Sequence, residues 1–262
     1  MGTHTVFHPH AAQMDLPGIR SVTADQPFQW LRAGAQDLIK AWPLSLFYGI
    51  VAALLGYGLL QVAEDRPHLW MALISGFLFV APVLATAFYS LSHRLEHHHR
   101  LPRLFVPLLS WRANPASFAL FTVMLLFVLI SWERISAILV GLFLGGSGVA
   151  ALPDLLSVDG IREHTAFFLA YMAFGGVLAL LIFSLTVVSL PMMLHRKVDF
   201  ATALVTSFMA TRLNFPVMLL WGVLIAGLVA IGFLTHFIAM AVIFPWLGHA
   251  SWHAYRELVE RE

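Results

Sequence analysis

Apolar residues run almost unbroken through 44–63 (LSLFYGIVAALLGYGLLQVA), 69–91 (LWMALISGFLFVAPVLATAFYSL) and 116–132 (ASFALFTVMLLFVLISW), and again through 165–190, 216–234 and 237–254. Crossing roughly 30 Å of hydrocarbon takes about 20 such residues in a helix. Backbone polar groups in lipid must be satisfied within a helix or a closed barrel, and continuous rather than alternating apolar runs point to helices. The pattern therefore predicts an all-α fold, a polytopic transmembrane bundle of six spans. The sixth is interrupted by Pro245 and Gly248.

The segments that precede spans one, three and five share a device. In LIKAWPLSLF, SWRANPASFALF and ATRLNFPVMLLW a basic residue (Lys40, Arg112, Arg212) stands shortly before a proline (Pro43, Pro115, Pro216). Proline is tolerated in the first turn of a helix and disfavours helix in the residue before it, so each copy marks a turn from the membrane surface into the bilayer. Upstream of two of these breaks, apolar positions fall at helical spacing: Leu101, Leu104, Phe105, Leu108 and Leu109, and Phe200, Ala203, Leu204 and Phe208 after a candidate N-cap at Asp199. These stretches are expected to be short amphipathic helices lying in the interface, and the six spans to form three hairpins entering from one side.

Charge orients the bundle. Of 15 Lys and Arg, all but Arg66, Arg134 and Arg162 fall on the side of the N-terminus. The positive-inside rule then places both termini and the HRLEHHHR loop at 93–100 in the cytoplasm. Glu133 and Arg134 are read as the interfacial end of span three, anchored by Trp132, with 133–164 a long loop on the opposite face. Residues 1–25, interrupted by His4, His8, Pro9, His10 and Pro17, read as a flexible cytoplasmic tail rather than an export signal or a metal-binding arm. Residues 26–262 read as a single six-span domain.

Composition agrees with lipid as the solvent. The chain is 60% hydrophobic and 11% charged, with mean hydropathy +0.82, whereas a soluble domain carries about 25% charged residues. A net charge of +1 without a concentrated basic patch argues against nucleic acid as a partner. With no cysteine, any metal site must be built from His, Asp, Glu or Met.

The boundary elements SWRANPASFALF, VVSLPMMLHRKVDFATALVTSFMATRLNFPVMLLW and FPWLGHASWHAYRELV resemble a bacterial family of integral membrane proteins, domain of unknown function 2189. The similarity runs from about Trp30 to Val259, and its most specific piece is PWLGHASWHAY at 245–255. The resemblance implies a bacterial inner-membrane protein and brings no reaction, substrate or catalytic residue. HRLEHHHR departs from the family pattern, which is rich in Arg and Glu there.

Two histidine groups carry the candidate chemistry. His249 and His253 lie at i, i+4 beside Trp252 and Tyr255, after a proline that frees the carbonyl of residue 241. They are candidate metal ligands, but with no carboxylate nearby in sequence the reading favours hydrogen bonding between helices. His93 and His97 share the same spacing, with Glu96 and His99 adjacent, and are the second candidate metal pair. Their interleaving with Arg94 and Arg100 favours a polar helix end at the headgroups. Small-residue pairs Gly141/Gly145 and Gly175/Ala179 are read as helix contacts.

No phosphate loop, Ser-His-Asp set, HExxH or paired intramembrane carboxylates stand in the sequence. No cofactor is expected. The leading expectation is a non-enzymatic inner-membrane protein, an accessory or assembly subunit whose partners are the bilayer and other integral membrane subunits. One alternative is a small transporter or channel using Ser75, Thr86, Ser90, Thr186, Ser189 and His249. The other is a membrane protein with a His-ligated metal or haem.

Overall fold

The computed structural model describes residues 6–7, 16–63, 84–97, 102–145, 154–155 and 157–260. Within these the chain is all-α apart from one two-residue ladder. The helices are α1 (Gln26–Lys40), α2 (Trp42–Ala63), α3 (Thr86–His97), α4 (Pro115–Leu144), α5 (Val158–Glu163), α6 (Thr165–Thr186), α7 (Ser189–His195), α8 (Phe200–Leu213), α9 (Phe215–Leu234) and α10 (Met240–Leu258), with a 3-10 helix at Pro107–Ala113. Strand β1 (Val6–Phe7) pairs antiparallel with β2 (Ile19–Arg20).

The proline breaks fall where the sequence places them. Pro43, Pro115 and Pro216 sit in the first turns of α2, α4 and α9, each directly after a shorter helical element. Asp199 caps α8 by accepting the Thr202 backbone N–H at 3.0 Å, satisfying one of the orphan donors of the first turn. The amphipathic segment expected over 101–109 instead takes the form of the 3-10 helix at Pro107–Ala113. Pro102 and Pro107 each disfavour α-helix in the residue before them, which delays and tightens the element.

Four helical stretches among the described residues are long and apolar enough to cross a membrane: Trp42–Leu59, Pro115–Leu144, Thr165–His195 and Phe215–Leu234. Most of the second expected span, 69–91, lies outside the described residues. The sixth is helical as α10 but forms the buried centre of the bundle. Its Ile243, Phe244, Leu247, Gly248, His249, Ala250 and Trp252 are all buried, and α1, α2, α3 and α9 pack around it.

The third span runs further than expected. α4 continues through Glu133 and Arg134, which pair at 3.2 Å, to Leu144. Trp132 is not an outward anchor: it is buried, with its ring 5.0 Å from that of Tyr171 and its edge against Gly175 of α6. An aromatic pair inside a helix contact outweighs the interfacial preference of the indole. Gly175 thus serves the close contact expected of it, whereas a Cβ on Gly141 would meet open space among the described residues.

Close backbone approaches draw the centre together. A Cβ on Gly34 would stand 2.6 Å from the Ala250 nitrogen, and one on Gly49 would stand 2.0 Å from the Ala241 carbonyl oxygen. That carbonyl is the one Pro245 deprives of its helical donor. Gly49 presents a Cα–H to it, a weak donor in place of the missing N–H.

The other end of the chain is bound in as well. Ile19, within the stretch read as tail, is fully buried and bridges to Val259, and Glu260 N–H donates to the Gly18 carbonyl at 2.8 Å. Asn214, at the N-terminus of α9, donates to the Arg20 carbonyl at 3.0 Å and accepts from the Val22 N–H at 2.8 Å. Asn114 stands at the same place before α4 and donates to the Val198 carbonyl at 2.6 Å. Two of the three proline boundaries therefore share one fastening. The third has Ala41 in place of the asparagine.

Candidate functional site

His249 is fully buried at the middle of α10, with partners on both ring nitrogens. Ser45 of α2 lies 2.9 Å from Nε2, and Ser92 of α3 lies 2.8 Å from Nδ1. The Ser92 hydroxyl donates to Oδ2 of Asp37 on α1 at 2.7 Å, and His253 Nε2 meets the same oxygen at 2.9 Å. Lys40, exposed one turn on, stands 3.9 Å from Oδ1. Five side chains from four helices form one continuous polar chain.

The direction of the bonds follows from donor supply. Ser92 has one hydroxyl proton, and it goes to a carboxylate that only accepts. His249 Nδ1 must then donate to Ser92, and in the neutral ring Nε2 accepts from the Ser45 hydroxyl. All bonds run toward Asp37. Burial pushes the Asp37 carboxyl up, but the hydrogen bonds from His253 and Ser92 more than offset this and hold it below its ordinary value.

The packing lets the chain close. Gly34 admits α10 against α1, so Asp37, one turn on, reaches the α10 histidines. On the other side a Cβ on Gly248 would stand 2.6 Å from the Phe88 ring of α3, an approach that brings Ser92 within reach of His249. Phe88 packs edge-on to the His249 ring at 5.6 Å and to Phe244 at 5.4 Å, which walls the polar chain off with aromatic surface. Buried hydrogen bonds in such surroundings are stronger than in water, and costly to leave half-made.

The pair His249/His253 is thus brought near a carboxylate, that of Asp37. Both His249 nitrogens are engaged by serines, so a metal bond to this ring requires breaking one of those contacts. The other pair, His93 and His97, gathers at the end of α3. Ligand atoms of His93, Glu96 and His97 lie within 4.8 Å of one another. His97 Nδ1 meets the His93 carbonyl at 3.0 Å. Burial first, then the neighbouring His97, holds His93 below its ordinary value, with Glu96 opposing.

Sequence reasoning missed Asp37, Ser45, Ser92 and His195. Asp37 lies three residues before Lys40, a spacing that reads as an ordinary surface ion pair. Ser45 and Ser92 are lone hydroxyls in apolar runs. His195 lies 102 positions after His93 in sequence, yet their rings are 5.0 Å apart. The residues nominated for a transport path, Thr86, Ser90, Thr186 and Ser189, are buried in the bundle, and Ser189 bonds the Leu185 carbonyl of the preceding helix. Ser75 lies outside the described residues. Met192, Met193 and Met240 are core.

The helices and their apolar faces define an all-α integral membrane protein. The chain matches a family described as "Predicted integral membrane protein (DUF2189)" over residues 70–195. That range takes in Ser92, His93, Glu96, His97 and His195. It ends before α8, so PWLGHASWHAY lies beyond it and the resemblance is narrower than the sequence motifs implied. No curated protein and no solved structure matches the chain.

Proposed function

We propose that the protein is a non-enzymatic subunit of a bacterial inner-membrane complex, acting in assembly or as an accessory, with both termini in the cytoplasm. The observation that carries this reading is the closure of the buried polar chain upon itself. Ser45, His249, Ser92, Asp37 and His253 direct their hydrogen bonds at one another and tie α1, α2, α3 and α10 together. Such a network rigidifies a bundle and specifies one packing of it. The burial of Thr86, Ser90, Thr186 and Ser189 in helix contacts favours a scaffold over a transport path.

The proposed orientation draws support from where the basic residues gather. Arg20 bonds the Val259 carbonyl, Arg196 the Glu260 carbonyl, and Arg256 pairs with Glu96, all around the C-terminal end of α10. This is also the end at which α4 and α9 begin, fastened by Asn114 and Asn214. A face with that surplus of Arg is the one the positive-inside rule keeps in the cytoplasm.

The test is native purification in mild detergent, without overexpression, followed by mass spectrometry and sizing. The proposal expects co-isolation of other integral membrane proteins in fixed stoichiometry. A lone, monodisperse species that carries a solute across reconstituted vesicles would replace it with the transport reading.

A further inference from the structure

From the structure we infer a divalent transition-metal site, of zinc type, at the end of α3, formed by His93, Glu96 and His97 and completed by His195 of α7.

The first three ligands share one helical face at i, i+3 and i+4, with their ligand atoms within 4.8 Å of one another. Ligand atoms around one tetrahedral ion stand about 3.3 Å apart, given metal–nitrogen bonds of about 2.0–2.1 Å. The side chains therefore need to close by about 1.5 Å, which small rotations of the exposed Glu96 and His97 provide. Ring geometry already agrees. Two imidazoles on one tetrahedral ion place their ring centres about 5 Å apart, and His93 lies 4.8 Å from His97 and 5.0 Å from His195.

The outer contacts resemble those that orient metal ligands. The His93 carbonyl 3.0 Å from His97 Nδ1 makes that nitrogen the protonated one, so a metal would bind this ring through Nε2. The Tyr255 hydroxyl holds His195 Nδ1 at 2.8 Å, so this ring too would bind through Nε2. Trp252 Nε1 donates to one Glu96 oxygen at 3.0 Å and Arg256 pairs with the other at 3.2 Å, orienting the carboxylate toward the cluster while each oxygen keeps a second lone pair.

One observation points to a missing partner. Nδ1 of His93 is buried from solvent without a hydrogen-bond partner among the described residues, a cost that the rest of the bundle avoids at His249. Arg94 and Arg256 also face the cluster and oppose a cation, and Glu96 offsets one of them. Binding must therefore come from the imidazoles, the ligands that suit zinc. Four protein ligands make a closed, structural shell, one that would fasten α3 to α7.

The test is zinc titration of the purified full-length chain in detergent, together with the visible spectrum of its cobalt form. We expect one Zn2+ per chain and the spectrum of a tetrahedral nitrogen/oxygen site. His97→Gln changes an exposed residue and leaves the fold intact; it should weaken binding at least tenfold. His93→Gln and His195→Gln each remove a ligand and should do the same. The double variant His98→Gln/His99→Gln should bind as the wild type does. Absence of stoichiometric binding, binding unchanged by His97→Gln, or loss with His98→Gln/His99→Gln but not with His97→Gln overturns the inference.

Discussion

Asp37 and His253 stand 216 positions apart in the chain, yet the His253 Nε2 lies 2.9 Å from the Asp37 Oδ2. The aspartate is held below its ordinary value of 3.8 and His93 below 6.5. In both cases the unfolded chain takes up its proton at a higher pH than the folded one, so stability falls as pH falls. The His93 contribution is complete above 6.5 and declines below it, and that of Asp37 is complete above 3.8 and is lost beneath. Unfolding temperature in detergent should show both declines. His93→Gln should reduce the upper one and leave the lower, and a profile that His93→Gln does not alter would contradict this account.

The glycines of α2 should differ sharply. Gly49→Ala drives a Cβ to 2.0 Å from a backbone oxygen that has nowhere to move, whereas at Gly58 a Cβ meets nothing within 4 Å. Overpacking of this kind costs about 1–3 kcal/mol or more, while alanine in an open helical position is neutral or stabilising by up to roughly 1 kcal/mol. Thermal melts of Gly49→Ala and Gly58→Ala should separate in that order.

Asn214→Ala should cost more than Asn114→Ala. Asn214 makes three hydrogen bonds, to Val22, Arg20 and Ala210, and holds the β2 segment against the bundle, while Asn114 bonds Val198. Each buried group left unpaired costs about 1–3 kcal/mol. Limited proteolysis should cut Asn214→Ala within 16–25 faster than wild type. Equal rates would mean that the contacts of the β2 segment with β1 and with Val259 and Glu260 hold it without Asn214.

Those asparagines also mark how far the sequence could be read. SWRANP and TRLNFP were visible as boundaries because proline and a preceding basic residue act locally, and Asp199 as a cap for the same reason. The bonds of Asn114 and Asn214 to Val198, Arg20 and Val22 were not, since those backbone groups lie 84 to 194 positions away along the chain. The histidines at 249 and 253 were legible as interhelical glue from their place after Pro245. Asp37 was not, because a carboxylate three residues before a lysine looks solvated until α10 covers it. Length misled at the two ends of the bundle. α4 absorbs Glu133 and Arg134 as an ion pair, and α10, apolar enough to suggest a span, is the helix the others surround.

The most direct test is the thermal unfolding, in zinc-free detergent, of His249→Ala beside the triple variant His97→Gln/His98→Gln/His99→Gln. Removing the imidazole strands the Ser45 hydroxyl and deprives Ser92 of its donor in a fully buried site. At about 1–3 kcal/mol for each unpaired group, and about 2–4 °C per kcal/mol for a chain of this size, His249→Ala should melt several degrees below wild type. The triple variant exchanges one polar group for another at a polar helix end and should melt within about a degree or two of wild type, since such changes usually stay within about 0.5 kcal/mol. A silent His249→Ala together with a triple variant that unfolds would contradict the claim that the His249 chain holds this bundle together.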